Sequence, residues 1–218
     1  MQTSGWGAPQ IESEYARVRE LSEVRGPGAP LLSALWNLWI YTITRGELDQ
    51  AQAFTDRLFA LAERSRDRTS LLQAHHARWS TLFTVGDLSA LEHHTAQGLE
   101  LCAGSSADRG NLAYGSHDTG ICARMFRART LALRGQVDSA AALCDSALLL
   151  ARELDHPFTL AFTLMHAAAV HETRRDAERA RTHANEAWQV AEERGFGLML
   201  AWSRGFLGFR ATSVSRAE

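Results

Sequence analysis

The chain has 218 residues, of which 45% are hydrophobic and 22% charged, and its formal net charge is −2. These values are typical of a globular chain that buries a sizeable core, and they argue against disorder. All 23 basic residues are arginines, and 25 acidic residues outnumber them. No strong positive field would therefore attract nucleic acid or an anionic membrane.

The cysteines and the apolar runs indicate a compartment. Cys102, Cys122 and Cys144 do not follow a CxxC or zinc spacing, and reduced thiols in a cytosol fit them best. Residues 1–10 lack the basic-then-apolar pattern of a secretory signal. The longest apolar run, at residues 31–43, is too short to span a bilayer. We expect a cytoplasmic protein with no membrane partner.

Apolar residues recur along the chain at helical spacing, and no segment alternates as a strand would. The predicted elements, about ten helices in chain order, are a half-hairpin at 11–24, hairpins at 31–65, 70–102, 120–154 and 157–194, and a half-hairpin at 197–209. The sequence thus predicts an all-α fold in a single domain of residues 1–218.

A repeat links these hairpins. Gly46, Gly86, Gly135 and Arg175 occupy equivalent positions, 40, 49 and 40 residues apart. Each follows an apolar helix and precedes an acidic or polar residue that opens the second helix; the glycines tolerate the left-handed conformation that ends a helix. Neither helix of a pair can bury its apolar face alone, so the units must stack. The period and the pairing predict a right-handed α-solenoid of tetratricopeptide (TPR) type.

Several stretches together resemble one known family. They are Gly5-Trp6, Tyr15–Leu21, Leu35–Trp39 with Arg45–Leu48, Tyr114–Gly120, Ala151–Ala161 and Glu193–Phe196. They resemble the C-terminal TPR region of large bacterial multidomain signalling proteins. In those proteins a class III adenylate or guanylate cyclase domain, or another output domain, precedes a P-loop ATPase of the STAND type and a helical repeat array.

The resemblance implies a sensor or scaffold role, in which the chain controls an attached or separate ATPase or cyclase domain. Those catalytic domains are not part of this sequence. A GxxxxGK[ST] phosphate loop is absent, since the chain has no lysine. A G-x-S-x-G elbow is also absent. We expect no enzyme activity, no catalytic residue and no cofactor.

The segment from Cys102 to Gly120, between the second and third hairpins, is longer than the other connections and rich in Gly, Ser and Asp. Long loops are often functional. Its candidate binding residues are Tyr114, His117, Asp118 and, in the following helix, Arg124. Asp118 also fits a purely structural role as the N-cap of that helix.

Histidine pairs occur at His75-His76 and His93-His94, on the two helices of one hairpin. Adjacent residues on a helix diverge by about 100°, so at most one of each pair faces a shared site. Because no HExxH-like signature accompanies them, we predict solvated or half-buried histidines and no metal site.

The first helices of stacked hairpins normally line a concave groove. By register the groove residues are Trp36, Ile40, His76, Ser80, Met125, Arg129, Phe162, His166 and Ala169. Aromatic and methionine side chains with a few polar heads suit an apolar peptide or helix. The alternative is that many of them, Trp36 and Phe162 above all, pack between hairpins.

The leading hypothesis is a non-catalytic module that binds a protein or peptide, with a regulatory role in bacterial signalling. A second is a sensor fragment that binds a small ligand and controls an attached cyclase or ATPase. A third is a small-molecule site at His117, Asp118 and Arg124. The apolar face of the last helix also makes a homodimer an expectation.

Overall fold

A computed structural model of the chain describes residues 29–103 and 116–214, and all regular structure in these ranges is helical. The helices are α1 (Ala29–Arg45), α2 (Leu48–Ser65), α3 (Arg68–Val85), α4 (Leu88–Cys102), α5 (Thr119–Leu133), α6 (Val137–Glu153), α7 (Pro157–Thr173), α8 (Ala177–Arg194) and α9 (Gly197–Val214). The all-α prediction is confirmed. The predicted helix at 11–24 lies outside the described residues. Within the described ranges, every helix is too short or too polar to cross a membrane.

The contacts divide the described chain into two compact units, at residues 29–103 and 116–214. Within each unit every helix packs against the next one along the chain. First helices also touch first helices: α1 packs on α3, α5 on α7, and α7 on α9. Each unit is therefore built from helical hairpins that stack through their first helices, whereas the predicted single domain stays a prediction.

One kind of turn joins the helices of each hairpin. Gly46, Gly86, Gly135 and Arg175 have φ angles of +76°, +87°, +79° and +62°. The next N–H then bonds the carbonyl oxygen five residues back, at 2.9–3.0 Å, in the pairs Glu47 to Thr42, Asp87 to Leu82, Gln136 to Leu131 and Asp176 to His171. This is the Schellman arrangement, which satisfies carbonyls at the end of the first helix.

The residue after the turn also starts the second helix. The Asp87 carboxylate accepts a hydrogen bond from the Ala90 N–H at 3.0 Å, and the Asp176 carboxylate accepts one from the Arg179 N–H at 3.2 Å. Such N-caps satisfy N–H groups that have no partner within the helix. A single aspartate therefore closes one helix with its backbone and opens the next with its side chain.

Small side chains allow close packing inside the hairpins. Ala51, Ala140 and Ala180, near the starts of the second helices, are buried. In the α3–α4 hairpin the close approach occurs at Gly98, which lies under the fully buried indole of Trp79. A Cβ added at Gly98 would lie 3.0 Å from Cη2 of Trp79 and nearer still to Cζ3. The ring therefore excludes a larger residue at this position.

We expect Gly98→Ala to lower the free energy of unfolding by about 1–3 kcal/mol, because overpacking forces the indole out of its site. Gly205→Ala is the matched control, since it lies inside α9 and nothing stands within 4 Å of the added Cβ. That variant should gain about 0.5–1 kcal/mol from helix propensity. Urea denaturation followed by far-UV circular dichroism measures both. Equal stability of the two variants would show that Trp79 does not constrain Gly98.

Candidate functional site

A row of rings crosses the first helices of the second unit. His117, just before α5, stacks on Phe162 of α7 with ring centres 4.0 Å apart and planes 10° apart. Phe162 contacts His166, one helical turn along, at 4.4 Å. His166 meets Trp202 of α9 edge-on at 5.3 Å and 78°. Offset and edge-to-face contacts of this kind are the favoured geometries of aromatic pairs, so α7 and α9 are held together by rings.

His166, at the centre of this row, carries little charge near neutral pH. Complete burial, with further contributions from Arg129 and His117, holds the pKa of His166 well below its usual value. A charged imidazole would have to form out of contact with bulk solvent, so the neutral ring is favoured. Burial also lowers the pKa of Arg129 to about 10, which leaves its guanidinium charged at neutral pH. His166 is thus uncharged near neutral pH, and Arg129 is a partly exposed cation that interacts with it.

The row opens to the surface at Trp202, which is half-buried. Next to it lies a cavity of about 390 Å³ lined by Glu172, Ala201, Trp202, Gly205 and Phe206, which we call the Trp202 cleft. Trp202 and Phe206 are one helical turn apart and form an aromatic wall, whereas Ala201 and Gly205 are exposed and small. Alternation of large and small residues at this spacing leaves an open recess beside the indole.

The predicted groove residues divide into two groups. Trp36, Ile40, His76, Met125, Phe162 and His166 are buried, and Met125 is completely so. Ser80, Arg129 and Ala169 are partly exposed. Burial of these six agrees with the alternative that they pack between hairpins, and Trp36, for example, lies 4.6 Å from Trp39 and 4.9 Å from His76. Partner binding by the groove residues stays a prediction. These positions contribute to the core.

The predicted loop residues serve the start of α5. Asp118 is its N-cap and accepts a hydrogen bond from the Ile121 N–H at 2.7 Å, while its own N–H donates to Thr159 Oγ1 at 3.0 Å. Arg124 donates to the Gly120 carbonyl at 3.0 Å. Tyr114 lies outside the described residues. Two of the three residues of the small-molecule hypothesis thus interact with the local backbone, and that hypothesis stays a prediction.

One histidine of each predicted pair does face the other. His75 of α3 and His94 of α4 bring their Nδ1 atoms to 3.0 Å, so one ring donates its N–H to the other. Burial lowers the pKa of both to about 4; His94, His93 and Arg78 contribute at His75, and Arg78 and His93 at His94. Both rings are therefore neutral near pH 7, which leaves one Nδ1 free to accept the hydrogen bond.

The Trp202 cleft was not among the predicted sites. Its signal in the sequence is the pair of aromatic residues, Trp202 and Phe206, four apart in the last predicted helix. An aromatic pair at that spacing is more often part of a core, and only the contact of α7 with α9 shows that one edge remains exposed.

No family model matches the sequence, and no curated protein does. Solved structures do match: a point variant of the nearly identical TPR-like repeats of a kinesin light chain candidate from Podosopora anserina has a TM-score of 0.56 and 12% identity, over 85% of this chain and 88% of that one. The repeats without that change give a TM-score of 0.54 and 13% identity, over 84% and 89%. At these identities the likeness concerns the fold alone. The chain is an all-α protein with TPR-like helical repeats.

The His75–His94 pair predicts a loss of stability in acid. Unfolded histidines titrate near pH 6.5, whereas both folded rings have a pKa of about 4. The unfolded chain then binds more protons between these pH values, so the free energy of unfolding falls as pH drops from about 6.5 toward 4. We expect His94→Gln, which removes one titrating ring and keeps an amide that can hydrogen-bond His75, to reduce this pH dependence.

His93→Gln is the comparison variant, since His93 is exposed and adjacent; because it only contributes to the lowered pKa of the other two rings, its removal should change the slope less than His94→Gln does. Urea denaturation at several pH values between 7 and 4 gives the slope for each variant. Other buried histidines contribute to the wild-type slope, so the comparison is between variants. A slope for His94→Gln equal to that of His93→Gln would contradict the assignment.

Proposed function

We propose that this chain is a non-catalytic module that binds a protein or peptide through the Trp202 cleft. The observation that carries the proposal is a recess of about 390 Å³ beside a half-exposed indole on the first-helix face of the second unit. Exposed aromatic side chains in a recess are typical anchors of protein recognition. TPR-like repeats in general mediate protein interactions, which agrees with this reading.

The lining of the cleft indicates the kind of group that it accepts. Trp202 and Phe206 supply aromatic faces, and nothing stands within 4 Å above Gly205 where a Cβ would project. Glu172 at the border contributes a carboxylate. A large apolar side chain next to a basic residue would satisfy both features, with the apolar group against Trp202 and the base beside Glu172. An amphipathic helix or a short peptide can present that pair.

The indole of Trp202 is preorganised by its neighbours in the unbound chain. His166 contacts the edge of its indole at 5.3 Å, and Phe162 lies 6.3 Å away at 71°. Both neighbours are buried on α7, so the indole loses little freedom when a ligand binds. Preorganisation of this kind lowers the entropic cost of recognition.

Trp202→Ala should weaken peptide binding by at least about tenfold, which corresponds to ~1.4 kcal/mol. The experiment selects ligands from a displayed random peptide library on the full chain and measures the enriched peptides by fluorescence anisotropy. Gly205→Leu should also block binding, because the added side chain fills the recess.

Trp188→Ala is the matched control, since Trp188 is a half-buried tryptophan of α8 whose ring packs under the Arg204 guanidinium. This variant should bind the selected peptides as the wild type does. Peptides that bind Trp202→Ala and Gly205→Leu with unchanged affinity would show that the cleft is not the binding site. Concentration-dependent dimers abolished by Gly205→Leu would identify a second copy of the chain as the occupant.

We further infer that the module regulates a bacterial signalling ATPase or cyclase, attached or separate. The support is the sequence resemblance to the TPR regions of such proteins. In the alternative form of this reading the chain senses a small ligand and controls an attached catalytic domain. A cytoplasmic location is the further expectation, because Cys102, Cys122 and Cys144 are all free thiols and free thiols fit a reducing compartment.

The size of the native protein distinguishes an attached from a separate catalytic domain. An immunoblot of source cells with antibody against this chain should show a band several times larger than 24.1 kDa if the module is a repeat arm. A band near 24.1 kDa would contradict attachment and would leave a separate partner.

A further inference from the structure

The outer side of α9 carries small residues between two opposite charges. Ala201 and Gly205, one helical turn apart, are exposed. On one side of them lies the Trp202 cleft, with the carboxylate of Glu172 at its border. On the other side lies the exposed Arg204, which packs against α8. The two flanks of this surface therefore have charges of opposite sign.

Neither charge has an ion-pair partner among the residues that the structure describes. The guanidinium carbon of Arg204 lies over the ring of Trp188, 4.9 Å from its centre. A guanidinium that lies over a ring keeps the N–H donors in its own plane available to a carboxylate. Arg204 is thus held at the surface with its charge available to a partner, and Glu172 offers the complementary charge on the other flank.

Arg204 also has an apolar neighbour on its own flank. Leu200 lies one helical turn before it and is half-buried. This flank of α9 thus presents a large apolar side chain next to a basic residue, which is the combination that the lining of the Trp202 cleft favours. One helix therefore carries both a binding surface and a surface that matches it.

We propose that the partner bound at the Trp202 cleft is α9 of a second copy of this chain, a step that rests on the proposed function of the cleft. In the dimer, Leu200 of each copy packs on Trp202 of the other, and Arg204 of each copy pairs with Glu172 of the other. Each contact occurs twice because both surfaces belong to every copy, as in an isologous interface.

The charges also select the symmetry of this dimer. A two-fold axis that runs along α9, between the copies, makes the two helices parallel and places each flank of one against the opposite flank of the other. Arg204 then meets Glu172 in both directions. An axis perpendicular to the helices in the interface would instead bring Arg204 against Arg204, and such a pairing of like charges is unfavourable.

The small residues at the centre permit the close approach that these contacts need. The distance between two packed helices is about 8–10 Å and depends on the side chains at the contact. Nothing stands within 4 Å of a Cβ added at Gly205, so this position leaves room for the partner helix. The Trp202 side chain can then reach Leu200 of the other copy beside the central contact.

The test is charge reversal, read by sedimentation equilibrium of the full chain over a range of concentrations. The wild type should form a dimer. Arg204→Glu and Glu172→Arg should each weaken the dimer by at least about tenfold, because each places like charges together at two symmetric positions. The double variant, Arg204→Glu with Glu172→Arg, should recover the wild-type dissociation constant within about threefold, since the opposite charges again face each other.

The matched control is Arg57→Glu. Arg57 is an exposed arginine of α2 whose guanidinium also lies over a ring, that of Phe54, at 5.7 Å from the ring centre. Its reversal changes the net charge by the same amount as Arg204→Glu and should leave the dimer unchanged. Far-UV circular dichroism confirms that each variant is folded.

Folded single variants that dimerise as the wild type does would overturn the proposal, as would a double variant that fails to recover. The proposed function is tested separately, because Arg204 does not line the cleft and Arg204→Glu should still bind the peptides selected on the wild type. Peptide binding by a wild-type chain that stays monomeric up to about 1 mM would overturn the dimer and leave the proposed function standing. Loss of both activities would overturn both.

Discussion

The turn inside each hairpin is the constraint on which the rest of the structure depends. A residue with positive φ ends the first helix, and the next N–H reaches back five residues to its carbonyl. This hydrogen bond reverses the chain within two residues, so the second helix must lie antiparallel to the first. Where the next residue is Asp87 or Asp176, its carboxylate also caps the second helix. The reversal and both helix ends are therefore encoded by a very short stretch of sequence.

Arg175 shows that the turn does not require glycine. It takes φ of +62° at the position that Gly135 fills in the preceding hairpin at +79°. The left-handed conformation costs an L-residue with a side chain roughly 1–2 kcal/mol. The hydrogen bond of the Asp176 N–H to the His171 carbonyl and the Asp176 cap offset that cost. The periodicity identified Arg175 as equivalent to the glycines because the neighbours, and not the residue itself, specify the turn.

The local encoding of the turns explains which features of the structure could be predicted from the sequence and which could not. The all-α fold, the turns and the repeat follow from residues close together in the chain, and they were predictable. Which side chains of the first helices are exposed was not predictable, because Met125 and Phe162 suit a binding groove as well as a core. Only the distance to the next first helix decides between the two, and that distance depends on side chains about forty residues away. The angular argument for the histidine pairs allowed one ring of each pair at a shared contact, which His75 and His94 make. It could not tell which ring that would be, nor that His76 would be buried as well.

Helix α7 carries both the support of the Trp202 cleft and part of its border. His166 supports the indole of the Trp202 cleft, and Glu172 borders that cleft. His171, the residue directly before Glu172, is buried, with its Nδ1 3.8 Å from Oδ2 of Asp176 and its ring centre 5.2 Å from that of His183. The burial of His171 therefore fixes the backbone beside Glu172, so the border of the cleft, like its indole, is held by residues of the core.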